Sequence, residues 1–373
     1  MINGERVKQA RELRGLTQAT FAENIGVHQS AVAQIESGRI TPSDEVLQRI
    51  ILQTGFPMSF FRQPTSTEFP LGSLLFRARA SMTARERSQA RQYAGIVLEI
   101  AERMEKNINK IPLRLPRLDD DPINAAIQTR SSLGLAPDTP INNLINTIEK
   151  NGVLVLALPT ELKRVDAFSA WVNNESRRPV IVICNKNLAG DRLRLSVAHE
   201  LGHLVIHQAM RGDSSIIERE AFEFASELLM PKEIMTKELI VPITLVNLLP
   251  LKRRWKVSLQ ALIRRAFNLG IITSRQYKYL MQQITVRGWR IKEPENISPE
   301  KPRMISQVAE LLYGIPIDYK RIASYMNLPL QLVKDTIEAH ATKNGLNNNQ
   351  KGTINRKILT FAQKKTNISD VLL

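Results

Sequence analysis

His199-Glu200-Leu201-Gly202-His203 is the stretch in which residue type and spacing point most directly to chemistry. On a helix, positions i and i+4 share one face. Both imidazoles can therefore reach a single metal ion, and H-E-x-x-H is a spacing that suits tetrahedral zinc. Glu200 lies at the rim of that face, where it can hold a water bound to the ion and take its proton. The surroundings are helical in pattern: Leu195, Val197, Ala198, Leu201, Leu204 and Val205 recur at helical spacing after Gly190-Asp191, which reads as the helix start.

A hydrolytic zinc site needs a third protein ligand and one open position. The run from Glu218 to Pro231 offers four glutamates. At about 100° per residue, Phe222, Ala225 and Leu229 fall on the side of Glu218, whereas Glu220, Glu223 and Glu227 point away. Glu218 thus heads an apolar stripe, where a lone carboxylate needs a cation or a partner. It is the expected third ligand, with Glu220 the next choice and the other glutamates expected in solvent. His207 continues the histidine face but lies about 6 Å further along the axis, too far for the same ion. It is expected to pack or to support a ligand. Asp166 either lines the cleft or makes a turn. Tyr277 and Tyr279 are weak candidates for a proton donor.

The elements that must hold this helix precede it. Pro122–Leu133 and Ile141–Asn151 read as helices, and Val153–Leu158, Ala167–Val172 and Pro179–Cys184 as strands. The last two are joined by the turn-prone residues 173–176. Two helices, a small antiparallel sheet and a metal-bearing helix describe a zincin-like α+β unit. In such a unit an edge strand can pair with an extended peptide above the metal.

The N-terminal residues read differently. Val7, Ala10 and Leu13 mark a first helix, and Thr17 caps a second, Gln18–Ile25. Gly26 makes the turn into a third helix from about His28 to Ser37, and Ser43 caps a fourth that runs to about Thr54. A short helix, a glycine turn and another short helix make a helix-turn-helix. The stretch LTQATFAENIGVHQSAVAQIESGRITPS closely resembles the phage-repressor (Cro/CI, XRE) family. The resemblance implies a third helix in the major groove of double-stranded operator DNA, with Gln29, Ser30 and Gln34 reaching base edges and His28 nearby. It also implies Gln18 on a phosphate, and Arg39 or Arg11 on the backbone. Glutamine suits this role because it can donate to and accept from adenine at once. Residues 1–62 hold seven Lys/Arg against six Asp/Glu. So little excess charge predicts weak binding by a single copy, and hence a homodimer.

The metal-bearing segment has its own resemblance. DRLRLSVAHELGHLVIH followed by EREAFEFASELLMP resembles the ImmA/IrrE (DUF955-like) metallopeptidases, and ELKRVDAFSAW and ALIRRAFNLGIITSRQYKYLMQQITVRGWR fit the same pattern. The resemblance implies zinc, Glu200 as general base and a protein substrate, typically a repressor cleaved in stress or in mobile-element induction. The chain departs from the family at Phe222, where the family usually carries an asparagine able to orient a ligand.

The whole chain of 373 residues carries 52 Lys/Arg against 36 Asp/Glu, a net +16, which favours a polyanionic partner. One cysteine, Cys184, excludes a disulfide framework and fits the cytoplasm. No apolar run is long enough to span a membrane. The expected organisation is a predominantly helical α+β chain. Residues 1–62 form an all-α, lambda-repressor-like DNA-binding domain. Residues 63–120 are a connector with a long helix, Thr83 to about Asn107, which docks on the catalytic core or pairs with its own copy. Residues 121–297 form the zincin-like domain, 298–340 a helical region and 341–373 a basic tail expected to be partly disordered. Residues 232–302 concentrate positive charge, fourteen Lys/Arg against five acids. Two functions fit. One is a transcription regulator with a zinc endopeptidase that cleaves a protein partner such as a repressor. The other is a non-catalytic, metal- or partner-sensing repressor, such as the antitoxin of a toxin–antitoxin pair.

Overall fold

Side-chain alternation along three short strands decides the architecture. The computed structural model describes residues 1–65, 69–70, 72, 82–162, 165–172, 177–185, 187–207 and 213–341. The strands β1 (Leu154–Ala157), β2 (Ala167–Val172) and β3 (Arg178–Ile183) form one sheet in the order β1-β3-β2. β2 runs antiparallel to β3, as expected, but β1 adds parallel to it, with Leu154 opposite Val180 and Ala157 opposite Ile183. The sheet is therefore mixed rather than antiparallel throughout. Both of its faces are covered, which explains the unbroken apolar runs.

Each face belongs to a different core. Leu154, Leu156, Phe168, Ala170, Val180 and Val182 face the first, and Val155, Ile181 and Ile183 the second. The first core is completed by three sets of helices. One is the N-terminal set α1 (Gly4–Leu13), α2 (Gln18–Ile25), α3 (Gln29–Glu36) and α4 (Asp44–Thr54). The second is the long helix α5 (Ala84–Glu105), and the third is α14 (Met304–Tyr313), α15 (Tyr319–Met326) and α16 (Leu330–Ala339). α5 starts at a capping box of Thr83 and Glu86, and every residue from Ala94 to Ala101 is buried. Its apolar stripe is thus covered within the chain rather than offered to a second copy. Arg6 of α1 pairs with Glu99 of α5 at 3.0 Å, and Arg103 donates to the carbonyl of Met326 at 3.2 Å. One core therefore joins the N-terminal helices, α5 and the C-terminal helices.

The second core holds α6 (Pro122–Ser132), α7 (Leu144–Lys150), α8 (Gly190–Ile206) and α9 (Ser214–Leu229). It also holds α10 (Lys232–Glu238), α11 (Leu245–Trp255), α12 (Leu259–Asn268) and α13 (Ser274–Val286). α8 is capped at Ala189 rather than at Gly190-Asp191. Asp191 instead lies buried in the first turn and pairs with Lys252 of α11, which also reaches Glu293 at 2.8 Å. Among the described residues no helix is long and apolar enough to cross a membrane. The turn 173–176, residues 73–81 of the connector and residues 342–373 of the tail lie outside the described residues.

Candidate metal centre and nucleic-acid interface

Two helices build the centre, and a glycine sets their distance. A Cβ on Gly202 of α8 would lie 2.9 Å from the Phe224 ring of α9, so only glycine lets the two helices approach this closely. The approach brings Glu218 over the histidine face. The Nε2 atoms of His199 and His203 lie 3.0 Å apart, and each is 3.3 Å from a carboxylate oxygen of Glu218. Ligand atoms about 2.0–2.1 Å from a tetrahedral zinc are separated by roughly 3.3 Å, so this triangle fits such an ion. Both histidines are fully buried, and the Glu218 side chain is 27% exposed. Burial raises the Glu218 carboxyl, but the hydrogen bonds and charge of the two histidines outweigh it and hold the group below the usual carboxylate range.

A second line of contacts orients His203. Its Nδ1 lies 3.0 Å from Nδ1 of His207, whose Nε2 lies 3.0 Å from a carboxylate oxygen of Glu220. A carboxylate accepts, so Nε2–H of His207 donates to Glu220. His207 Nδ1 then accepts from Nδ1–H of His203, so Nε2 is the nitrogen that His203 would turn to a metal ion beside His199 and Glu218. Burial pushes His207 below the ordinary histidine value, with Glu220 partly offsetting it, in keeping with a neutral ring. Glu220, the runner-up ligand in the sequence, thus stands one residue further out. Of the apolar stripe expected with Glu218, Ala225 and Leu229 are buried, together with Ala221, Phe224 and Leu228, but Phe222 is 49% exposed, with its ring 4.2 Å from that of His199. Glu227, expected in solvent, is buried and paired with Arg265 of α12.

Glu200 is fully buried beside the triangle, and Ser169 Oγ donates to its Oε2 at 2.8 Å. Ser169 was missed from the sequence. Its signal is alternation: in β2 it is a polar side chain on the face that looks at α8, next to Trp171, whose Nε1 donates to the Leu204 carbonyl at 2.9 Å. The outer edge of β2 is approached by the chain itself, since a Cβ on Gly72 would come 2.0 Å from the Ser169 carbonyl oxygen. Asp166 precedes β2 and pairs with Arg192 of α8 at 2.9 Å, so it ties strand to helix. Tyr277 stacks on Phe267 at 4.9 Å, and Tyr279 is 60% exposed.

At the other end of the chain, His28 caps α3 without a side-chain bond, and His28, Gln29, Ser30, Gln34 and Arg39 are all exposed. Gln18 is half-buried at the start of α2, where its Nε2 donates to Glu36 at 2.8 Å and its Oε1 accepts from Gln29 Nε2 at 3.1 Å. Arg11, named beside Arg39 for the DNA backbone, is instead buried. It makes a two-pronged pair with Glu36 at 2.6 and 3.0 Å and donates to the Leu16 carbonyl. Its charge is consumed inside the domain.

Comparison with known proteins divides the chain along the same two regions. Residues 7–61 match the helix-turn-helix family model, and residues 148–267 match the M78 peptidase family model described as the IrrE N-terminal-like domain. The chain is 32% identical over 68 residues to the HTH-type transcriptional regulator PuuR of Escherichia coli strain K12, and equally to that of Shigella flexneri. Those 68 residues are 18% of this chain and 37% of each relative. The crystal structure of Bacillus thuringiensis PlcR in complex with the peptide PapR7 and DNA aligns over 92% of this chain and 98% of that one. It does so at 16% identity and a TM-score of 0.18. The chain thus joins a helix-turn-helix unit to an IrrE N-terminal-like domain.

Proposed function

We propose that this protein is a cytoplasmic DNA-binding transcription regulator whose second unit is a zinc endopeptidase that hydrolyses one bond in a protein partner. The observation that carries the enzymatic half is the His199–His203–Glu218 triangle, built on the helix that also bears Glu200, whose buried carboxylate accepts from Ser169. Zinc held by those three residues would polarise a peptide carbonyl and acidify a water. Glu200 would be the carboxylate that takes a proton from water and returns it to the departing amine. Ser169 keeps the carboxylate from rotating away, and the burial of Glu200 excludes bulk solvent from the transfer. His207 and Glu220 hold the His203 ring.

The exposed row Gln29, Ser30 and Gln34, with Gln18 and Arg39 beside it, supports recognition of an operator in double-stranded DNA by α3. A homodimer would supply the second half-site that one weakly charged domain lacks.

Phe222 favours a second reading. An aromatic ring against His199, where the resembling peptidases carry an asparagine, suits a site that binds metal or a partner and does not turn over. In that reading the chain is a sensing repressor, such as an antitoxin.

One experiment separates the two. The zinc-loaded full chain is incubated with a fluorogenic peptide library and with denatured casein, alongside Glu200→Gln. Cleavage by the wild type, lost in the variant at unchanged zinc content, supports the peptidase. Stoichiometric zinc with no cleavage of any probe supports the sensor. Selection of operator sequences from random duplex DNA, weakened by Gln29→Ala, tests the DNA-binding half.

A further inference from the structure

A groove of about 1240 Å³ opens beside the metal centre, between α8, α9, α12 and the residues after α13. Its position follows from helical spacing. On α8, Leu195 lines the groove and stands four residues before His199, which stands four before His203. On α9, Phe222 and Ser226 line it, and they continue the row that begins at Glu218. The groove is therefore the axial extension of the two helix faces that bear the three candidate ligands.

Its charge is one-sided. Eight lining residues are Lys or Arg and four are Asp or Glu. Three of the four acids are already committed: Asp191 and Glu293 to buried Lys252, and Glu227 to buried Arg265. Glu223 lies 3.8 Å from Arg219 of the same helix. Lys232, Arg264, Arg290 and Lys292 are exposed along the walls. Arg264 is held over the rings of Phe267 and Tyr277, at 5.9 and 5.7 Å from their centroids, which fixes a cation at the groove wall. Phe222, Met281 and Trp289 line it too, so the groove offers apolar as well as positive surface.

We propose that this groove binds an acidic, partly apolar segment of the protein substrate, next to the bond presented to the metal centre. The inference rests on the peptidase reading for the word substrate, but binding can be measured without turnover. A peptide is favoured over nucleic acid because the groove runs along the helix faces that bear His199 and Glu218, where Leu195 and Phe222 line it.

The test uses the full chain carrying Glu200→Gln, so that nothing is cleaved. Fluorescence anisotropy reads binding of a labelled twelve-residue peptide of alternating Glu and Leu, of its Lys counterpart, and of single-stranded oligo-dT. The acidic peptide is expected to bind, the basic one not, and added salt to weaken the complex. Arg264→Glu with Lys292→Glu should weaken binding of the acidic peptide at least tenfold. If that double variant does not fold, as judged by its circular dichroism melt, Arg290→Gln alone should weaken it two- to fivefold. Equal binding of both peptides, indifference to these substitutions, or tighter binding of oligo-dT would overturn the proposal. Failure of the wild type to cleave, with the acidic peptide still bound in the groove, would count against the peptidase and leave the groove standing.

Discussion

The Nδ1 atoms of His203 and His207 lie 3.0 Å apart, and the far nitrogen of His207 lies 3.0 Å from Glu220. This relay fixes the His203 ring, with its Nε2 turned toward Glu218. Support of this kind is commonly worth about 10–100-fold in metal affinity. His207→Ala and Glu220→Gln should each lower zinc affinity by a factor in that range, read by competition with a chromophoric chelator. Unchanged affinity in both would mean that the relay does not position a ligand.

Phe222 covers the His199 ring at 4.2 Å. An aromatic pair of this kind contributes roughly 0.5–1.5 kcal/mol. Phe222→Ala should therefore release zinc to excess chelator about 2–10 times faster, and lower the thermal melt of the metal-free chain by no more than a few degrees. A slower release would show that the ring strains the centre instead of shielding it.

Glu36 joins a buried ion pair to a candidate DNA contact. It accepts two bonds from Arg11 and one from Gln18. Glu36→Ala leaves Arg11 charged and buried, which costs about 3–5 kcal/mol. Urea unfolding should show that loss in the transition of the N-terminal helices. Arg39→Ala, at an exposed position, should leave the same transition unchanged and weaken DNA binding alone.

Two buried groups titrate with opposite effect. Burial lowers His340 to about 4, with the Thr336 carbonyl bond opposing and Lys301 assisting, and its Nε2 accepts from Ala157 N–H at 3.0 Å. Its ordinary value is 6.5. Below that pH the unfolded chain binds a proton that the folded chain refuses, so stability falls as pH drops from 6.5 toward 4. Glu149 runs the other way. Burial raises it from 4.5 to about 7 against the backbone N–H bonds of Arg303 and Met304. Between those values the folded chain holds the extra proton, so its contribution is full below 4.5 and is lost as pH rises toward 7. Each shift corresponds to about 3 kcal/mol, so the two largely cancel. Melting temperatures at pH 5 and pH 7.5 should show the cancellation removed by single substitutions. Glu149→Gln should make the chain more acid-sensitive, and His340→Asn should make acid stabilising.

The helices of both units were legible because each has a local cause. Thr17, Ser43 and Thr83 accept backbone N–H bonds at their helix starts, and Gly26 ends α2 at a φ of 64°. Glu218, expected as a ligand, stands 3.3 Å from both histidines, although Phe222 and Glu227 lie in environments opposite to those expected. Burial on α9 is decided by what packs against it. Arg265 reaches Glu227 from α12, and the metal face leaves Phe222 open, and neither partner is near in sequence.

By itself the sequence determined what short-range geometry can determine: a helix-turn-helix with its polar row, and two histidines one turn apart with a glutamate beside them. Helical periodicity and capping act within a few residues, so they are written locally. Tertiary structure alone decided that α5, the N-terminal helices and the C-terminal helices share one core, and that β1 runs parallel to β3. It also decided that Ser169 meets Glu200 across 31 residues and that Arg11 is spent on Glu36. These outcomes depend on which faces meet when the chain closes, and contacts between distant segments leave no periodic trace in either segment.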